Sequence, residues 1–529
     1  MTPNSETQTN SQLVDLPFDT YHHHIFPLLS LEDVLSINVT SKLLSNIAIN
    51  YLSYKFLYIK PDNVDISNIY FRTLIKNIAI TDRFKTFPSE LCNHNLRNVI
   101  FSETFIHDTN LRLPNGLIKV VFDRKYNLPN KLPHSITELT FKGSYNQPTR
   151  LPKRLTRLVL GDIYNQDTPF PNSITYLSLG LEYTQQIPLP DSLKTLVIVS
   201  YNMLENLTLP PNLLKIVFNH NYNSATPLPD SVEEIKFGSR YNQNTSLPKN
   251  LKRVEFGTSY NQPVCLPCNL KYVKFGMSYN QNTKLPEFLI DVHFGTYYNQ
   301  DTPLPKNLKH VEFSSTYNQN ILLPDSIESI VFGYDYAHVT TFPKNLKKIE
   351  YKSKLVHDHI WPLSLESITI DSYAVIANNL VLPHNIKIAK LLIVNPTNII
   401  LSDSLEVLHL DIPFYFPSVL PHSLKKVIFG DYYNQLTHFP LTTNSLEEIS
   451  FGYNYNQLTE LPNSVRRVSF GKSFNQPITL RPNLERITFG HSYNQVTHFP
   501  ITLKYATFTN PNFNQPVYGV PSHAIVIKL

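Results

Sequence analysis

From Leu247 to Gln319 one arrangement of apolar and polar positions is written four times, beginning LPKNLKRVEFGTSYNQPVC and repeating every 19 residues. In each copy an apolar residue is followed by apolar residues three and five positions on, as at Leu251, Val254 and Phe256. Successive side chains of a strand point to opposite faces, so Val254 and Phe256 share an inward face while Arg253 and Glu255 point out. The pattern predicts one short strand per repeat. Between Phe256 and the next Leu-Pro pair lie Gly257, Tyr260-Asn261-Gln262 and Pro263. Glycine and proline at that density leave no room for a helix, so the return leg is predicted to be extended or irregular.

The triplet outlasts the obvious copies. It starts at Ile75, Leu96 and Leu117, recurs every 19 residues or nearly so, and closes at Ala524, Ile527 and Leu529, which gives 24 coils. Through 337–420 Tyr-Asn-Gln is lost but the triplet persists at Leu365, Ile386 and Leu405, so this stretch reads as degenerate solenoid and not as an inserted domain. A short fixed period marks stacked coils, each burying its apolar face against its neighbours alone, and it overrides the several globular domains that 529 residues would otherwise suggest. The fold expected is a repeat solenoid, leucine-rich-repeat-like, with mainly short parallel β-strands and extended or irregular return legs. Right-handed crossovers should join the strands. The divisions expected are a disordered leader (1–15), a small α-helical segment (16–54), irregular first coils (55–112) and regular solenoid (113–529).

Tyr-Asn-Gln stands in register at Tyr145, Tyr164, Tyr241, Tyr260, Tyr279, Tyr298, Tyr317, Tyr433, Tyr455 and Tyr493, with Phe-Asn-Gln at Phe474 and Phe513. On these residues the unit resembles the FNIP repeat, a leucine-rich-repeat relative known chiefly from social amoebae and giant DNA viruses. The resemblance covers residues 110–520 or thereabouts. An asparagine amide both donates and accepts, so in successive coils it could satisfy turn backbone and the Asn above and below.

The segment 16–54 breaks the repeat. Its apolar residues recur with helical spacing, and Ser30-Leu31-Glu32-Asp33 resembles a capping box opening a helix with Leu31, Val34 and Leu35; a second helix would carry Leu43, Leu44, Ile47 and Tyr51. Leu16-Pro17, Ile25-Phe26, Leu28-Leu29, Leu31-Glu-Asp-Val34-Leu35, Val39 and Lys42 resemble an F-box. That resemblance implies a Skp1-type adaptor of a cullin-based ubiquitin ligase as partner, gripped by Leu16, Pro17, Ile25, Leu28, Leu31, Val34 and Leu35. The other reading is a plain helical cap for the solenoid.

Composition narrows the rest. Apolar residues at 42% suit an ordered chain, and a net charge of +5 without a block of like charges indicates neither a nucleic-acid groove nor a membrane patch. The polar N-terminus lacks a signal-peptide pattern, and three cysteines cannot staple a chain of this length, so an intracellular, cytoplasmic protein is expected, in the host cytoplasm if the source is viral. Candidate chemistry is thin. Cys265-Leu-Pro-Cys268 has no second pair to complete a zinc site, and consecutive His22, His23 and His24 would fan around a helix. Gly471-Lys472-Ser473 lacks the first glycine of a phosphate loop, and His357-Asp358-His359 has no nucleophile in register. The turn tyrosines are expected to pack against neighbouring coils and not to stack nucleobases. No cofactor or metal is implied, and no enzymatic activity.

What varies is the outward face: Arg253 and Glu255, Tyr272 and Lys274, Asp291 and His293, His310 and Glu312, continuing through Ser329/Val331 and Lys348/Glu350. Variable residues on a fixed frame are how repeat proteins build recognition surfaces. The function expected is a substrate-recognition subunit that links a target protein to a ubiquitin ligase, a monomer within a larger complex. The alternative is a stand-alone binding scaffold with no ubiquitin role.

Overall fold

The computed structural model describes residues 57–59, 76–80, 95–102, 112–199, 208–352, 360–372, 380–393, 399–411, 420–439 and 444–528. The residues expected to form the helical segment, Leu16 to Tyr54, lie outside this set, as do Cys92 and His357-Asp358-His359. The described chain is a parallel β-solenoid, with no helix among the described residues. It divides between Gly257 and Thr258 into two compact units. In the first, eleven parallel strands follow one another from Leu57–Ile59 to Arg253–Glu255; in the second, fourteen run from Tyr272–Lys274 to Ile525–Lys528.

Each of the 24 triplets carries a strand, including Ser367–Ser372, Ile388–Ile393 and Val407–Leu410 in the stretch without Tyr-Asn-Gln. One further strand, Leu57–Ile59, precedes them, its Leu57 and Ile59 in register with Ile78 and Ile80. Register is one coil per strand, as where Asp291, Val292 and His293 face His310, Val311 and Glu312. Inward positions make continuous columns: Leu289, Val292, Phe294 and Tyr298 are all buried, and their counterparts one coil on, Leu308, Val311, Phe313 and Tyr317, are buried likewise.

Two tight turns close each coil. After the strand, Tyr298 N–H donates to the Gly295 carbonyl at 3.1 Å; before the next, Leu308 N–H donates to the Pro305 carbonyl at 3.1 Å. Some return legs also pair in parallel, Leu380–Val381 with Ile399–Ile400 and Thr437–His438 with Thr459–Glu460. The glycine after the strand is held there by space: a Cβ on Gly295 would lie 1.6 Å from the Gly276 carbonyl oxygen, and one on Gly490 1.8 Å from that of Gly471.

Behind the glycines the rings form two stacked columns. Phe294 and Tyr298 stack within one coil at 4.2 Å, and Tyr279, Tyr298 and Tyr317 stack between coils at 6.1 and 6.4 Å. Offset-stacked pairs of this kind contribute about 0.5–1.5 kcal/mol beyond area burial. Most tyrosine hydroxyls meet a threonine four residues on, as in Tyr279 with Thr283, Tyr298 with Thr302 and Tyr493 with Thr497. At Tyr317 that threonine is replaced by Ile321, and the buried hydroxyl has no hydrogen-bond partner among the described residues.

The asparagine ladder reaches the turn backbone of the next coil, as expected, and meets its glutamine side chain where the neighbouring asparagine side chain was expected. Asn280 Oδ1 accepts the backbone N–H of Asn299 at 2.9 Å and the Nε2–H of Gln300 at 3.0 Å, and Asn299 Oδ1 does the same for Asn318 and Gln319. These groups are half-buried or exposed, not sealed in the core. The glutamine, to which the sequence pattern assigned no role, completes each rung.

Two consequences are measurable by denaturant or thermal unfolding. Asn280→Ala strands two donors of the next coil and should cost about 1–3 kcal/mol, well above the effect of Glu255→Ala; equal losses would refute the ladder. Tyr298→Phe should cost about 1 kcal/mol, whereas Tyr317→Phe should be neutral or stabilising, since it removes a buried hydroxyl without a partner.

Candidate functional site

The outward strand faces hold the residues the repeat leaves free to vary. In the first unit, Arg253 and Glu255 leave opposite ends of the strand Arg253–Glu255 on the same side, around buried Val254. Arg253 Nη2 reaches Glu255 Oε1 at 2.6 Å, and Lys236 Nζ lies 3.4 Å from Glu255 Oε2. Burial works to raise the Glu255 carboxyl, but the Arg253 hydrogen bond and the two positive charges outweigh it and hold it below its ordinary range. Arg253 and Glu255 therefore neutralise each other.

The second unit builds a tighter cluster. Parallel register sets Tyr272 beside Asp291, and Lys274 beside His293. It likewise sets Asp291 beside His310 and His293 beside Glu312. His293 Nδ1–H donates to Glu312 Oε2 at 2.6 Å, while Nε2 lies 3.1 Å from Asp291 Oδ1, an ion-pair distance without hydrogen-bond alignment. The Tyr272 ring leans on the imidazole at 5.4 Å. Asp291 and Glu312, acting against burial, push His293 up to about 9, so it is an imidazolium at neutral pH. The His293 hydrogen bond in turn holds the Glu312 carboxyl low, with burial opposing and Lys352 and Lys274 assisting. His310 and Lys274 are exposed.

Alongside these columns runs a charge ladder that sequence reasoning passed over. It uses the residue just before each strand: Lys309 and Lys347 grip Glu328 from either side at 2.6 and 2.8 Å. Their hydrogen bonds, Lys309 first, pull the Glu328 carboxyl down to about 2. Lys425 with Glu406, and Arg466 and Lys504 with Glu485, repeat the arrangement. The alternation of sign at a spacing of 19 was the available signal.

The other sequence candidates resolve into turns. Cys265 and Cys268 are free and exposed. Among the described residues no group of His, Cys, Asp and Glu could hold a metal ion. Gly471-Lys472-Ser473 is a repeat turn, with Phe474 N–H donating to the Gly471 carbonyl at 3.4 Å and Lys472 over the Tyr453 ring. The tyrosines of Tyr-Asn-Gln are buried in the ring columns.

A family model described as FNIP Repeat matches residues 222–259, 241–278, 298–335 and 433–473. Among solved structures, the chain is similar to CroV588, described as a novel circular leucine-rich-repeat protein, at 27% identity and a TM-score of 0.62, over 87% of this chain and 78% of that one. It also aligns with YopM from Yersinia enterocolitica at 16% identity and a TM-score of 0.33, over 79% and 88%. No curated protein sequence matches it. The chain thus carries FNIP repeats on a leucine-rich-repeat-like solenoid.

The His293 cluster sets a pH dependence. Its folded value of about 9 lies above the ordinary 6.5, so the stability it contributes is fully present below about pH 6.5 and is lost as pH rises through about 9. The gap in unfolding midpoint between the native chain and His293→Gln should therefore shrink across that window; a gap independent of pH would contradict the assignment.

Proposed function

We propose that the protein is a non-catalytic docking scaffold whose outward strand faces select a protein target. The observation that carries this is the contrast between the two sides of each strand. Inward positions stay apolar and are sealed, whereas a single outward position reads Tyr272, Asp291, His310, Ser329 and Lys348 in five successive coils. A frame that holds side chains at fixed spacing while their identity changes presents a surface to be recognised. Among the described residues no constellation on these faces pairs a nucleophile with a base, and the strongly shifted His293 is locked between carboxylates as a fixed cation.

The segment 16–54 extends this reading. Its resemblance to an F-box supports a link from the solenoid to a Skp1-type adaptor, with Leu16, Pro17, Ile25, Leu28, Leu31, Val34 and Leu35 as the gripping residues. The chain would then deliver its target to a ubiquitin ligase in the cytoplasm, as one copy within a larger complex.

The full-length chain should retain a purified Skp1-type adaptor in a pull-down, and Leu31→Glu with Leu35→Glu should abolish retention while leaving the unfolding midpoint of the solenoid unchanged. Failure of the unaltered chain to retain the adaptor would reject the ligase role and leave the scaffold alone.

A further inference from the structure

The last coils of the second unit depart from the charge balance seen around His293. Five consecutive strands are involved: Lys426–Phe429, Glu448–Ser450, Arg467–Ser469, Arg486–Phe489 and Tyr505–Phe508. One outward column reads Lys426, Glu448, Arg467, Arg486 and Tyr505, three cations against one carboxylate. Glu448 is already shared, 2.5 Å from Lys426 and 2.9 Å from Arg467. Arg486 is exposed, its guanidinium lies 4.6 Å from the centre of the Tyr505 ring, and no carboxylate pairs with it among the described residues. Stacking fixes the plane of a guanidinium while leaving its N–H fork open, which is the geometry that takes a carboxylate bidentately.

Two residues further along the last four of these strands, a second outward column reads Ser450, Ser469, Thr488 and Thr507, next to Ile428 of the first. All four are half-buried, and their hydroxyls make no hydrogen bond to another described residue. Several hydroxyls of the turns are tied to a neighbouring coil, as Ser326 is to the Leu308 carbonyl and Thr502 to that of Leu484, whereas these four stand on the strand face. Two parallel rows therefore run across the strands, a cationic row and a row of unused donors, with a step of about 4.8 Å from coil to coil.

We infer that this face docks an acidic, extended segment of a partner protein, lying across the strands with its carboxylates on Arg467 and Arg486 and its polar groups on the hydroxyl row. The inference rests on the reading of the outward faces as protein-docking surfaces, and it names the partner's chemistry. A nucleic acid is the poorer fit: binding a single strand calls for open aromatic faces, and the Tyr505 ring is occupied by Arg486.

The test is fluorescence anisotropy with the full-length chain and a labelled peptide of about twelve residues rich in Asp and Glu, its Asn/Gln isostere, and a single-stranded oligonucleotide of similar reach. The acidic peptide should bind best, and more weakly at about 300 mM than at about 50 mM salt. Arg486→Glu should weaken it about tenfold or more and Thr488→Val about threefold, with unchanged circular dichroism melts. Lys306→Glu, the same charge change on an exposed turn, should leave it unaffected. Binding of the isostere as tight as that of the acidic peptide would overturn the charge assignment alone, while absence of binding by any peptide would overturn the docking reading with it. Equal losses in Arg486→Glu and Lys306→Glu, or tighter binding of the oligonucleotide, would also overturn the proposal.

Discussion

In about half of the coils, how closely one coil can approach the next is set at a glycine that follows the strand. A side chain at Gly257, Gly295 or Gly490 would meet the carbonyl of the preceding glycine well inside contact distance. Without a Cβ the backbones nest, and that nesting holds the neighbouring rings at stacking distance. Phe470 over Phe489 at 6.1 Å and Tyr455 over Phe474 at 6.2 Å depend on the same step as the strand hydrogen bonds beside them. Where Ser314 takes the place of that glycine, it is buried and its hydroxyl donates to the Tyr298 carbonyl at 2.6 Å.

Because the step is common to everything, several independent ladders can run along it in phase. The strands, the ring columns, the Asn-Gln rungs and the lysine-glutamate rail all repeat at 19 residues or close to it, and each is satisfied only by its neighbour one coil away. The rungs tolerate substitution where the chemistry is kept. Asn318 Oδ1 accepts from Ala337 N–H at 3.0 Å, and the His338 ring nitrogen takes the place of the missing glutamine at the Asn318 carbonyl, 2.9 Å away. This explains why the coils after Tyr317 keep their register although the motif has changed.

Strand positions were legible in the sequence because alternation and burial are local: an apolar triplet at +3 and +5 can be satisfied only by a strand with one sealed face. The strand Leu57–Ile59 was missed because Tyr54 stands where the triplet otherwise begins with an aliphatic residue. Gly257 was read as a turn residue, since sequence shows which residues are small and not what lies against them. The glutamine of each rung was overlooked for a related reason, its partner being 20 residues away, as Gln300 is from Asn280. Which strand residues face outward is readable from alternation, but their pairing is not. Alternation places Asp291 and His293 on one face, whereas only the register with the next strand reveals that Glu312 completes the cluster.

That distinction bears on recognition. Ion pairs on an exposed face contribute little to stability, about 0–1 kcal/mol each, yet they decide which charges remain for a partner. Around His293 and along the Glu328 rail each carboxylate is matched, so those surfaces present an ordered but balanced array. Among the last strands the match fails at Arg486 and the hydroxyls of Ser450, Ser469, Thr488 and Thr507 stay unclaimed. On a frame whose backbone groups are already paired strand to strand, incomplete side-chain pairing is what leaves polar groups open on the surface. The informative residues of such a solenoid are therefore the ones at which a column stops balancing itself.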